Sequence, residues 1–159
     1  MTTVFVGFSQ ENTLAYQTID KNSENTISQD HSKTALSFGF LHGGGSLVGL
    51  DFEVLPTKIF GIQVGFGYLG LGLGINIHLK ENDIRSSFMS LQFWHQGLGN
   101  STTQALITPM FVFRAKKVFT ASVGFGFRVM KGRAFYKTNL NDDMPLMFTF
   151  AIGVYFPMK

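Results

Sequence analysis

The run Phe60-Gly-Ile-Gln-Val-Gly-Phe-Gly-Tyr-Leu-Gly-Leu-Gly-Leu-Gly-Ile-Asn-Ile-His-Leu-Lys80 decides how this chain is read. Phe60, Ile62, Val64, Phe66 and Tyr68 share one face of an extended strand, and Gly61, Gln63, Gly65 and Gly67 share the other. After Tyr68 the phase flips. Leu69, Leu71, Leu73, Ile75, Ile77 and Leu79 then alternate with Gly70, Gly72, Gly74, Asn76, His78 and Lys80. A period of two belongs to a strand with two unlike faces. A two-residue hairpin loop produces such a flip, and so does a β-bulge. Residues 59–79 are free of charge and long enough for a transmembrane helix. They also hold the Gly61/Gly65 and Gly70/Gly74 spacings of helix-packing motifs. Six glycines and a period of two rather than 3.6 argue against that helix.

The same alternation recurs on both sides. Leu36, Phe38 and Phe40 oppose Ser37 and Gly39, while Val48, Leu50, Phe52 and Val54 oppose Gly49, Asp51 and Glu53. Phe119, Ala121, Val123, Phe125, Phe127 and Val129 oppose Thr120, Ser122, Gly124, Gly126 and Arg128. Phe148, Phe150, Ile152, Val154 and Phe156 oppose Thr149, Ala151, Gly153 and Tyr155. The segments 85–97 and 103–115 alternate less cleanly. Pro109 in the second forfeits a ladder bond unless bulged, and the outward face of that strand is not assigned from the sequence. Eight strands are expected, at 34–42, 45–55, 58–68, 70–80, 85–97, 103–115, 117–130 and 145–156. Most exceed the usual ~5–6 residues and match the ~9–11 of a tilted bilayer-crossing strand.

Composition sets the polarity of the barrel. Charged residues make up 14% of the 159-residue chain, against roughly 25% in an ordinary soluble domain. A soluble barrel would have to show its Gly, Ser, Thr, Asn and Gln faces to water with few charges. The inverse assignment fits better: Leu, Ile, Val and Phe face lipid, and the Gly/polar faces line a narrow lumen. Backbone groups in lipid must be paired, so the strands must close. Phe60, Tyr68, Phe119, Phe148, Tyr155 and Phe156, near strand ends, suit interfacial girdles. The expected fold class is therefore all-β, an antiparallel up-and-down transmembrane β-barrel of about eight strands. The absence of cysteine excludes disulfides and thiolate metal sites. A net charge of +3 with scattered lysines gives no nucleic-acid footprint.

Four regions follow. Residues 1–9 read as the remnant of a secretory signal, with Gly7 and Ser9 at −3 and −1 of a cleavage site, or alternatively as an ordered strand. Residues 10–33 form a polar segment, 34–156 the barrel and 157–159 a tail. The connections at Pro56-Thr57, Glu81-Asn82-Asp83 and Ala115-Lys116-Lys117 are tight, while 97–103 and 131–144 are longer. Outer-membrane barrels have short periplasmic turns and longer external loops.

With that pattern the chain resembles the small bacterial outer-membrane β-barrels, and its Gly/Phe style is similar to barrels of the Bacteroidetes group. Thr149-Phe-Ala-Ile-Gly-Val-Tyr-Phe156 resembles their C-terminal assembly signal, although Pro157-Met158-Lys159 follows and Ala151 stands where Gly is usual. The resemblance implies an outer-membrane location, contact with membrane lipid and insertion by the outer-membrane assembly machinery. A larger membrane protein complex is a further expected partner.

Charges on the inward faces are the first candidate site. Asp51, Glu53, His78, Lys80, Arg85 and Arg128 are expected to form a lumen charge network, structural or acting as a gate, because unpaired buried charge is costly. A second cluster is Trp94, His95, Gln96, Gly97, Asn100 and Ser101. His95 with Ser101 suggests the lipid A-modifying enzymes found among small outer-membrane barrels. Deacylases of that kind place His and Ser two residues apart, and here they are six apart. His42 beside Gly43-Gly44-Gly45 is read as a flexible hairpin tip. No metal site or cofactor is expected, and no catalytic residue is assigned. The function expected is a structural, interaction or accessory membrane barrel with its lumen closed by packed side chains. The alternatives are a narrow channel, a lipid A-modifying enzyme and a soluble lipocalin-like carrier.

Overall fold

A computed structural model describes residues 32–97, 103–132 and 145–158. The expected signal remnant, the polar segment up to residue 31 and Ser101 lie outside the described residues. Eight strands form one closed antiparallel barrel: β1 (Thr34–Phe40), β2 (Val48–Val54), β3 (Phe60–Gly67), β4 (Gly70–His78), β5 (Phe88–Gln96), β6 (Gln104–Arg114), β7 (Phe119–Lys131) and β8 (Leu146–Met158). Each strand pairs with its sequence neighbour, and β1 pairs with β8 to close the ring, Ser37 opposite Tyr155. The eight strands and their up-and-down order are those expected from the alternation. No helix among the described residues is long and apolar enough to cross a membrane, which says nothing of strands.

The phase flip after Tyr68 is a two-residue hairpin. Gly67 pairs with Gly70, and Tyr68-Leu69 makes the turn, with Leu69 at φ 69°. Register then sends every second side chain to the same side. Ile62, Leu73 and Phe148 are 55%, 60% and 63% exposed on the outer surface, while Gln63, Asn76 and Thr149 are buried inside. The apolar faces are therefore outside and the Gly/polar faces inside. Tyr155 departs from the girdle reading. Its side chain points inward, fully buried, and its hydroxyl donates to the Ala115 carbonyl at 2.6 Å.

Strand β6 settles the orientation that its sequence hides. Ile107, Pro109, Phe111 and Phe113 face out, and Leu106, Thr108, Met110, Val112 and Arg114 face in. Both faces carry apolar residues, so the period of two is masked. Pairing with β7 shifts between Ala105 and Leu106, then runs from Ile107–Phe127 to Met110–Gly124 with no pairs at Thr108 and Pro109. Proline has no N–H to give there. Strand β8 continues past Phe156, with Pro157 opposite Ala35.

One end of the barrel, the short-turn end, carries the connections 55–59, 79–87 and 115–118 together with the outer ends of β1 and β8; the middle one, expected as a tight turn at 81–83, spans nine residues. It is sealed from within by Ala35, Leu55 and Ile84, which pack on one another. The other end carries the connections 41–47, 68–69, 97–103 and 132–145.

Candidate functional site

The lumen is filled at two levels. The lower one lies near the short turns. There the inward faces of β2, β4 and β6 bring Glu53, His78 and Arg114 together, all three buried. A carboxylate only accepts, so His78 Nε2 carries a proton and donates to Glu53 Oε1 at 3.0 Å. The other ring nitrogen, Nδ1, meets the Ser86 hydroxyl at 2.9 Å. Arg114 Nη1 sits 2.7 Å from Glu53 Oε2 and donates to the Ile84 carbonyl, which ties the seal to the network. The Arg114 guanidinium lies between two rings, 4.7 Å from the Phe88 centroid and 4.9 Å from that of Tyr155. His78 stacks on the same Phe88 ring at 4.8 Å. A buried carboxylate is stable only with such partners, and here it has two cation-forming neighbours and an amide.

From Glu53 a chain of polar side chains runs up the β4–β5 wall. Asn76 Nδ2 donates to Glu53 Oε1 and, at 3.1 Å, to Gln63 Oε1. Ser90 donates to Asn76 Oδ1 at 2.6 Å, Gln92 to Ser90 at 3.1 Å and Trp94 Nε1 to Gln92 Oε1 at 2.7 Å. Every one of these groups is buried, and each satisfies the next.

The upper level is built from main chain. The connection 41–47 does not stand out as a loop tip. It folds back into the lumen as a left-handed turn, with Leu41, Gly43, Gly44 and Gly45 at φ 60°, 66°, 78° and 73°. This corrects the expectation of a flexible tip. A side chain at Gly43 would strike the Phe66 carbonyl, and one at Gly44 the Leu71 carbonyl. Opposite them, Gly65 and Gly72 offer a wall without side chains. Backbone thus packs on backbone, which only glycine on both sides permits. Four polar contacts fasten the turn. His42 Nδ1 donates to Asp51 Oδ2 at 2.6 Å, and Gly43 N–H to Asp51 Oδ1 at 3.1 Å. Ser46 Oγ donates to the Gly43 carbonyl at 3.0 Å, and Gln96 Nε2 to the Gly45 carbonyl at 2.9 Å. Trp94, Leu106 and Met110 pack together beside it. A cavity of about 20 Å³, enough for a single water, remains between the levels, bordered by Asp51, Gln63, Gln92 and Arg114 on one hand and by Phe88 and Val112 on the other.

Of the charges expected in the lumen, Glu53 and His78 meet in a hydrogen bond, and Asp51 joins the turn instead. Arg128 is half-buried near the other end, with Nη2 3.4 Å from Met147 Sδ. Lys80 and Arg85 stay outside. Strand β4 ends at His78, so Lys80 lies in the turn with Asp83 at 3.7 Å, and Arg85 precedes the start of β5. Arg114 and the His42 turn are the members the sequence reading missed. The clustering of glycines on the inward faces of β3 and β4 was the available signal for the turn, because so bare a wall needs something to fill it.

His95 sits near the end of β5, half-buried, opposite Leu71 and Ala105 and away from the polar chain. Ser86, His78 and Glu53 are connected in the order of a serine hydrolase triad. Ser86 N–H is already bonded to the Asp83 carbonyl at 3.0 Å, and Glu53 is shared with Arg114. Among the described residues no group of three or more His, Asp or Glu is arranged to hold a metal. Within the barrel these side chains pair with one another and fill the lumen. The fold and site define a closed eight-stranded barrel with an occupied interior. Compared with family models, curated proteins and solved structures, the chain matches none.

Proposed function

We propose that this protein is an integral β-barrel of a bacterial outer membrane, serving as a structural or accessory interaction element rather than as an open pore or an enzyme. The observation that carries the proposal is the inversion of polarity around the ring. Every strand turns large apolar side chains outward, among them Phe38, Phe52, Ile62, Leu73, Leu91, Phe113, Phe125 and Phe148 at 40–63% exposure, and on β6 Pro109 joins them. Inward positions hold the charges and amides. Water would be a poor solvent for that outer face, and lipid a good one. Closure leaves no unpaired sheet edge for lipid to meet. The filled lumen supports a non-conducting role, and planar bilayers containing the protein are expected to show no discrete conductance steps.

The turns 55–59, 79–87 and 115–118 are assigned to the periplasmic side, and insertion to the outer-membrane assembly machinery. Expression behind a complete signal peptide, followed by electrophoresis of the outer-membrane fraction boiled and unboiled, tests the reading. A faster-migrating unboiled band is the expected result. Recovery in the soluble periplasm without a heat shift would overturn it.

A further inference from the structure

The two ends of the barrel differ in charge. At the short-turn end every connection bears a cation: Lys58 between β2 and β3, Lys80 and Arg85 between β4 and β5, Lys116 and Lys117 between β6 and β7, and Lys33 just before β1. All six are exposed, and they are spaced around the ring. Among the described residues, the connections at this end hold two carboxylates. Glu81 is 3.9 Å from Lys58, and Asp83 is 3.7 Å from Lys80. Lys33, Arg85, Lys116 and Lys117 have no acidic partner among the described residues. At the other end the connections 41–47, 68–69 and 97–103 contain no Lys, Arg, Asp or Glu, the two cations of 132–145 are balanced by Asp142 and Asp143, and Lys131 at the end of β7 is the one further cation of the strand ends there among the described residues.

The cations also border the apolar band directly. Phe60, Phe113, Phe119 and Phe156 stand at the strand ends beside them, 42–49% exposed on the outer surface. An aromatic collar followed immediately by long cationic side chains is the arrangement that spans the boundary between acyl chains and phosphate groups. A neutral surface would need no such ring, and a soluble acidic partner would not need the apolar collar beneath it.

We infer that the short-turn end is a seat for the anionic phosphate groups of a glycerophospholipid leaflet, held by Lys33, Arg85, Lys116 and Lys117. The inference rests on the membrane reading above and adds a preferred lipid and an orientation to it. Each such cation near an anionic surface favours binding about fivefold. The four together set a preference for phosphatidylglycerol over phosphatidylcholine that weakens with salt.

The full chain would be reconstituted in vesicles of phosphatidylcholine with and without phosphatidylglycerol, then released gently for native mass spectrometry. Wild-type protein is expected to retain phosphatidylglycerol in excess of its share of the vesicle. The variant Lys33→Gln/Arg85→Gln/Lys116→Gln/Lys117→Gln alters only exposed side chains and is expected to keep its heat shift while losing that excess at least about tenfold. Insertion with equal retention of both lipids, or an excess unchanged in the variant, would overturn the head-group seat and leave the membrane reading standing. Failure to enter either vesicle would overturn both.

Discussion

Around Asp51 the lumen is filled by main chain, and around Glu53 by side chains. The upper filling is a turn of glycines lying on a wall of glycines, fastened by His42, Asp51, Ser46 and Gln96. The lower filling is a carboxylate, an imidazole and a guanidinium packed between Phe88 and Tyr155. The two solutions fail differently. A steric fit between backbones has no partner to mutate in compensation. An ion pair does, because replacing both members with neutral groups of similar size removes the uncompensated charge.

The largest effect is expected from Arg114→Met. It strands Glu53 in the interior and should cost about 3–5 kcal/mol, measured as the denaturant midpoint of the folded protein in detergent. The double variant Glu53→Gln/Arg114→Met should recover most of that loss. No recovery would mean that the lower level rests on shape, like the upper. Next comes Gly44→Ala, expected to cost about 2–4 kcal/mol from left-handed strain and crowding against the Leu71 carbonyl. Full stability in that variant would place the turn outside the lumen and dissolve the contrast.

Asp51→Asn keeps the shape but removes the charge facing His42, and about 1–3 kcal/mol is expected from the same denaturation assay. A cost as large as that of Arg114→Met would make the upper level electrostatic as well. Ser86→Ala removes a hydroxyl from His78 and should cost about 1 kcal/mol or less. Wild-type protein should resist labelling by fluorophosphonate reagents. Labelling lost in Ser86→Ala would turn the lower level into an active site. Smallest of all, Lys80→Gln should stay within about 0.5 kcal/mol, since the side chain is solvent-exposed and outside the network.

The parts that could be read in advance are those governed by local periodicity. Strands β3, β4, β7 and β8 follow from alternation alone, and so does the side each residue takes, because a half-buried sheet repeats every two residues. The orientation of β6 escaped because Leu106, Met110 and Val112 make its inner face as apolar as its outer one. Arg114, at its end, escaped with it. Lys80 and Arg85 were drawn into the network because alternation does not say where a strand stops. The His42–Gly45 turn was hidden for a different reason. Three successive glycines look pliable on their own, and what holds them is Phe66, Leu71 and Asp51, brought near only by the folded ring. Non-local packing of that kind leaves no periodic trace.

The break in the β6–β7 ladder has a kinetic side. Elsewhere around the ring each strand is bonded continuously to its neighbours, so opening any one junction means breaking a full row of amides. Between Ile107 and Met110 two rungs are missing, and a register shift lies just beyond at Ala105–Leu106. A crack propagates from a flaw, and this is where the cylinder has one. Deuterium should therefore enter the amides flanking Thr108 and Phe125 sooner than those at the Ser37–Tyr155 junction, where β1 and β8 close the circle. The weakest seam of the barrel would then be an internal proline junction and not the place where the first strand meets the last.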